Sequence, residues 1–229
     1  FSFSWIFLNA QEVENKHIIH TNCSKLTTKG QPVNKQHLKL LEEYDVRHYL
    51  LDIEVSPLHT EVEGKAEMLA VSRVDNLDLI ALELMDTISV DSVLVDGRKQ
   101  TFTHSDNLLS ISVDSAIAKG NSFKTAVFYQ GQSAGRGVTQ AYNSAYDINV
   151  TWTLSESFHA KEWWPCKEVL TDKADSATII LTTDKKYTAA SNGLLMKKVA
   201  TENNKMKFYW KTRYPINYYL ISFAVADYQ

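Results

Sequence analysis

The stretch of sequence with the most chemical potential covers residues 151–167, where one glutamate lies among aromatic side chains. Glu156 is flanked by Trp152, Phe158, Trp163 and Trp164. A carboxylate beside apolar surface is partly shielded from water, so it attracts a cation such as a protonated amine more strongly than it would in bulk water. Glu156 is therefore a candidate cation-binding residue.

The same stretch also has a purely structural interpretation. The aromatic side chains would then belong to the core, and Glu156 would pair with Lys161 or Lys173 and bind no ligand. Large aromatic side chains are highly buried on average in folded proteins. Composition alone therefore favours the structural interpretation.

Histidine spacing gives little support for a metal site in this chain. His17 and His20 could bind zinc from one helical turn, but no cluster of cysteines or carboxylates accompanies them. The sequence contains no His-Glu-x-x-His motif and no Gly-rich phosphate loop. We therefore expect the chain itself to bind no zinc, with His17 and His20 the first residues to suspect if it does.

Composition indicates a folded globular protein. The chain has 229 residues, a formal net charge of -3, and 44% hydrophobic and 22% charged residues. Its charge is nearly balanced and its lysines form no blocks, which argues against a nucleic-acid partner. No segment approaches the roughly 20 apolar residues that span a bilayer. We expect neither a nucleic-acid partner nor a membrane span.

The first ten residues differ in character from those that follow. Residues 1–10 are apolar and end in a small side chain, as the tail of a secretory signal peptide does, although a first core strand is the alternative. A signal remnant predicts export to the periplasm, the cell surface or the medium. Cys23 and Cys166 are compatible with export, and we expect two free thiols, with a bridge between them left open.

The elements that must position Glu156 are predicted to be strands. Apolar and polar residues alternate over short segments that end at turn signals such as Asp96-Gly97. A weak helical stripe predicts a short helix near residues 35–43, and residues 131–149 are predicted to be a long, mobile connection. The pattern favours an all-β antiparallel sandwich. Its predicted strands are 48–55, 65–71, 77–84, 87–95, 108–113, 122–129, 150–154, 177–183, 187–191, 206–211 and 218–226.

A series of short motifs, each weak alone, follows a specific order along the chain. They are Tyr44-Asp45-Val46, Asp91-Ser92-Val93, residues 123–131, Glu156, Trp164-Pro165-Cys166, Lys173-Ala174, Ala190-Ser191-Asn192-Gly193 and residues 219–228. Over roughly residues 44–228, this order resembles the N-terminal β domain of the aminopeptidase N family of zinc metallopeptidases.

The resemblance implies a saddle-shaped, antiparallel and mixed β-sandwich domain at residues 44–229. A signal remnant at 1–10 and an extension at 11–43 would precede it. In the family, a catalytic domain with Gly-x-Met-Glu-Asn and His-Glu-x-x-His motifs follows, and this chain contains neither motif. We therefore expect zinc in the full-length parent protein only, peptide substrate and the parent's own catalytic domain as partners, and no activity from this chain alone.

The resemblance also gives Glu156 a role. The family places a Gln or Glu shortly before its Pro-Cys pair, on a loop that binds the α-amine of the substrate, and ten residues before Cys166 is Glu156. Leu154 stands where a Gln is usual, and residues 167–170 replace the usual Phe-Asp-Glu-Pro. These departures resemble a bacterial branch of the family.

The sequence is therefore compatible with two functions. The first is the N-terminal domain of an exported, zinc-dependent aminopeptidase that removes residues from the amino ends of peptides, with Glu156 holding the substrate ammonium group. The second is a non-catalytic β-sandwich module for adhesion or glycan binding. In the second, Trp163, Trp164 and Tyr142 would form an exposed aromatic platform.

Overall fold

The structure is a computed structural model that describes residues 34–133 and 135–228. Several features predicted from the sequence lie outside these residues: the signal remnant at residues 1–10, most of the extension that follows it, and the side chains of His17, His20 and Cys23.

The described residues form one α-helix, fifteen strands and two short 3-10 helices. The helix α1 covers Lys35–Leu41, and the 3-10 helices cover Ala160–Glu162 and Tyr218–Leu220. The strands are β1 (Tyr44–Glu54), β2 (Glu61–Ser72), β3 (Leu77–Glu83), β4 (Ser89–Val95), β5 (Arg98–Lys99), β6 (Phe102–Ser105), β7 (Leu108–Ile117), β8 (Ser122–Gln132), β9 (Val138–Asn143), β10 (Ile148–Thr153), β11 (Ser176–Asp184), β12 (Thr188–Ser191), β13 (Leu194–Thr201), β14 (Lys205–Thr212) and β15 (Phe223–Ala226).

The strands of the described chain assemble into three sheets. The largest has eight strands in the order β13-β14-β11-β1-β2-β8-β4-β5, and its β1–β11 pair is parallel while its other pairs are antiparallel. A four-stranded sheet has the order β12-β15-β10-β9, and a three-stranded sheet has the order β3-β7-β6. This arrangement confirms the predicted all-β class with antiparallel and mixed sheets.

The central strand β1 shows how sequence alternation builds the core. Tyr44 and Val46 are buried at even positions, whereas Tyr49, Leu51 and Ile53 are buried at odd positions. The change of parity coincides with a register shift against β2 between positions 46 and 48, because an extra residue in one strand moves the following side chains to the other face. Each fully buried apolar side chain of this size contributes ~1.5–3 kcal/mol.

Local signals account for α1 and for the tight turns. The side chain of Asn34 accepts a hydrogen bond from the Gln36 backbone N–H, which caps the start of the predicted helix. Asp96 and Gly97 both have positive φ, at 47° and 79°, as the turn between β4 and β5 requires. The helix near residues 35–43 and the Asp96-Gly97 turn are therefore confirmed.

The structure departs from the predicted elements in several places. Residues 218–226 are not one continuous strand: Tyr218–Leu220 form a 3-10 helix, in which the N–H of Ile221 bonds to the carbonyl of Tyr218, and only Phe223–Ala226 form a strand. The predicted connection at 131–149 contains β9, whose polar residues pair with β10. Strand β13 was missed because its eight residues are all exposed and show no alternation.

Candidate functional site

Glu156 lies in the loop between β10 and the 3-10 helix Ala160–Glu162, and it is exposed. The Glu156–Ser157 peptide bond is cis. No described lysine, arginine or histidine forms an ion pair with Glu156. Lys161 instead lies 3.2 Å from Glu168 Oε2 and 3.6 Å from Glu83 Oε2, so the pairing expected from the structural interpretation is not formed.

The loop around Glu156 is held by its neighbours on both sides. The indole N–H of Trp163 donates to Ser155 Oγ at 2.9 Å, and the Tyr218 hydroxyl donates to the Ser157 carbonyl. The backbone N–H of Leu154 donates to the carbonyl of Gly137 at 3.1 Å. Glu156 is thus an unpaired carboxylate on an anchored loop.

The residue that joins this loop to the next one is Glu162. Its Oε2 accepts hydrogen bonds from the backbone N–H groups of Arg136, at 2.5 Å, and Gly137, at 2.6 Å. Its Oε1 lies 2.6 Å from His159 Nδ1. Glu162 could not be singled out from the sequence, because its partners Arg136 and Gly137 are more than twenty residues away.

The tryptophans of this region belong to the core. Trp163 and Trp164 are fully buried, and Trp164 meets the ring of Tyr49 edge-on at 4.8 Å between centroids. Tyr142 is exposed but donates its hydroxyl to Asp147. The predicted exposed platform of Trp163, Trp164 and Tyr142 was therefore wrong, because packing has removed both indoles from the surface.

Behind the loop lies a buried group of charges. Glu83 and Glu168 are both fully buried, and Lys161 lies between them. His37 Nδ1 of α1 lies 3.0 Å from Glu83 Oε1. Burial raises the pKa of Glu168 to about 7, although Lys161 opposes the shift.

Cys166 is buried in the same region. Burial raises the pKa of its thiol well above the ordinary value, and the carboxylates of Glu168 and Glu83 add to the effect. A thiol of this kind is a poor nucleophile, because the thiolate is the reactive form. Cys166 behaves as the small buried hydrophobe that its apolar setting predicts.

Within residues 34–133 and 135–228, no group of three or more His, Cys, Asp or Glu side chains is arranged to hold a metal ion. None of the helices in this part of the chain is long and apolar enough to cross a membrane.

Most of the described chain matches one known protein family. Residues 45–220 match the family model described as the peptidase M1 N-terminal domain. No curated protein matches the chain in sequence.

Solved structures share the fold. The M1 zinc metallopeptidase from Deinococcus radiodurans has a TM-score of 0.69 and 20% identity, over 80% of this chain and 42% of that one. A mutant of that enzyme bound to a Tyr-Ser-Ala substrate has the same TM-score and identity. Native yeast LTA4 hydrolase has a TM-score of 0.64 and 19% identity, over 81% of this chain and 29% of that one. The chain thus spans less than half the length of these proteins.

Proposed function

Because this chain belongs to the peptidase M1 family through its N-terminal domain, we propose that it is the part of a zinc-dependent aminopeptidase that binds the α-ammonium group of the peptide. Glu156 is the residue to which we assign this contact. The observation that carries the proposal is an exposed carboxylate, unpaired within the described residues, on a loop anchored at both ends.

The proposed contact is a charge-assisted hydrogen bond. An ammonium group donates up to three hydrogen bonds, and a carboxylate offers two oxygens that accept them. Glu156 forms no internal ion pair with another described residue, so the incoming ammonium would displace water alone. The loop itself is tied to the core, since the buried Trp163 donates a hydrogen bond to Ser155.

Zinc is assigned to the full-length parent and not to this chain. The described residues hold no suitable ligand group, and the whole sequence lacks a His-Glu-x-x-His motif. The role proposed for this chain is therefore confined to binding and orienting the amino end of the peptide. An ammonium fixed at Glu156 would set the distance to the first peptide bond and so favour cleavage at the N-terminus.

Two wider elements belong to the same proposal. The parent's own catalytic domain is the proposed partner of the surface that carries Glu156. Export from a bacterial cell rests on the signal-like residues 1–10 and on the bacterial features of the motif around Glu156.

The test uses the full-length parent enzyme with Glu156→Ala and Glu156→Gln. Losing a charge-assisted contact in a partly dry pocket costs ~2–5 kcal/mol, which is a fall of roughly 30-fold to several thousand-fold in kcat/KM. Glu156→Gln is expected to retain more activity than Glu156→Ala, because an amide oxygen still accepts one hydrogen bond. N-acetylated peptides lack the ammonium and are expected to be poor substrates of the wild type.

The matched control is Glu202→Ala, which removes an exposed glutamate in the turn between β13 and β14. It is expected to leave kcat/KM unchanged. If Glu156→Ala behaves like this control while the protein stays folded, Glu156 has no role in binding the amine.

A further inference from the structure

We propose that Glu162 is a positioning residue that sets where Glu156 meets the substrate ammonium. This inference rests on the proposed function of Glu156 and adds to it the group that holds the carboxylate in place. Glu162 itself is buried beneath the loop and is not expected to touch the peptide.

Glu162 makes three short polar contacts. One carboxylate oxygen accepts from two consecutive backbone N–H groups, those of Arg136 and Gly137, and the other oxygen faces His159 Nδ1. All three distances are 2.5 or 2.6 Å. An ionised carboxylate with several donors at short range is held in a narrow range of positions.

The partners of Glu162 are bonded to the two ends of the loop that carries Glu156. Gly137 accepts a hydrogen bond from the N–H of Leu154, two residues before Glu156. His159 follows Glu156 by three residues, and its N–H donates to the carbonyl of Ser155. Glu162 therefore controls both ends of the loop, one end through Gly137 and the other through His159.

There is little space around the Glu162 carboxylate. A Cβ added at Gly135 would lie 2.0 Å from Glu162 Oε2, and one added at Gly137 would lie 2.4 Å from the carbonyl oxygen of His159. Only glycine lets the backbone of residues 135–137 approach this closely. The Gly-Arg-Gly sequence and the buried glutamate thus form one unit that locates the loop.

A positioning role makes a prediction that a purely structural role does not. A displacement of about 1 Å in a binding group can lower a rate about a hundredfold. In the full-length parent, we expect Glu162→Gln to lower kcat/KM for free-amine peptides at least tenfold. N-acetylated peptides cannot use Glu156, so their kcat/KM is expected to stay within about twofold of the wild type.

A double-mutant cycle isolates the link between the two glutamates. If Glu162 acts only through Glu156, then adding Glu162→Gln to Glu156→Ala lowers kcat/KM for free-amine peptides by less than about twofold. Glu202→Gln, at an exposed turn, is the matched control and is expected to change neither substrate class. If Glu162→Gln does not fold, Gly135→Ala replaces it in the same cycle, because this substitution keeps the carboxylate and displaces it.

The outcomes separate this inference from the function on which it rests. Full loss from Glu162→Gln in the Glu156→Ala background would show that Glu162 acts independently of Glu156, and the inference would be wrong. A large loss from Glu156→Ala with none from Glu162→Gln would overturn the inference alone. No loss from Glu156→Ala would overturn the proposed function and the inference together.

Discussion

Glu162 and Glu168 are two buried glutamates on either side of the same buried tryptophan pair, and they are held in different ways. Glu162 faces two backbone N–H groups and one imidazole. Glu168 accepts one backbone N–H, that of Lys161, and otherwise depends on the ammonium of the same lysine. Backbone donors compensate Glu162 for its lost hydration with hydrogen bonds of fixed geometry. A single flexible lysine compensates Glu168 mainly through its opposite charge.

These two environments suit the two carboxylates to different roles. A carboxylate held by backbone donors fixes the position of the segments that it joins, because those donors cannot rearrange without moving the chain. A carboxylate held mainly by one opposite charge depends on that charge and on pH. Glu162 is therefore suited to precise placement of the loop, and the Lys161, Glu83 and Glu168 group is suited to stability within a limited pH range.

The largest effect is expected from removing the lysine on the second side. Lys161→Met would leave the buried carboxylates of Glu83 and Glu168 without their shared cation, and breaking such a pair costs ~3–5 kcal/mol. For a domain of this size, that loss lowers Tm by roughly 6–20 °C. Thermal unfolding measures it, with the exposed Lys173→Met as the matched control. Equal Tm values for the two variants would show that Lys161 does not stabilise the pair.

An intermediate effect is expected from pH. The folded chain holds the Glu168 proton up to a pKa of about 7, whereas the ordinary pKa is 4.5. Between these values the folded state binds more protons than the unfolded state. The free energy of unfolding therefore falls as pH rises from 4.5 to 7, by up to about 3 kcal/mol from this group.

Lys161, Cys166 and Tyr218 lie near Glu168, and the pKa of each is raised further above that window. Burial opposes the charge on Lys161, but Glu168 and Glu83 raise its pKa above the ordinary value. Burial raises the pKa values of Cys166 and Tyr218 as well. Denaturant unfolding from pH 5 to 8 is the measurement, and Glu168→Gln is expected to flatten the profile. An unchanged profile in that variant would assign the pH dependence to another group.

The smallest effects on stability in this chain are expected from glutamine substitutions of the buried glutamates, with a larger loss from Glu162→Gln than from Glu168→Gln. The amide keeps one acceptor oxygen, so the loss is that of charge assistance and one contact, about 1–2 kcal/mol. Glu168→Gln, by contrast, removes a group whose charge is costly to bury, and at pH 8 it is expected to be close to neutral. Chemical denaturation of both variants at pH 8 compares them directly. A more stable Glu162→Gln than Glu168→Gln would reverse the assignment of the two sites.

Much of the fold could be predicted because its signals are local. Alternation identified β1, β8 and β11, while turn residues with positive φ identified the reversal at Asp96-Gly97. Strand β13 was not predicted, because neither of its faces is buried and its sequence therefore shows no alternation of apolar and polar residues. The 3-10 helix Tyr218–Leu220 was not predicted, because a short apolar run has the same pattern in a strand and in a helical turn.

The site was predictable only in part for a similar reason. Glu156 could be found by its distance from Cys166 within a recognisable motif, and its binding role remains a prediction. The partners of Glu162 and the Glu83–Lys161 pair could not be found, because these contacts join segments that only the folded sheets bring together. No sequence pattern marks which of several glutamates will be buried.

The parallel pairing of β1 with β11 has a consequence for how the protein is made. Strand β1 ends at Glu54, but its parallel partner begins only at Ser176. A ribosome adding about 5–20 residues per second needs roughly 6–24 s to synthesise the intervening segment. During that time the edge of β1 that pairs with β11 is open. An open apolar edge is a template for pairing with other chains. The second half of the sheet therefore covers this edge late, and the speed of translation between β1 and β11 sets how long the edge stays open.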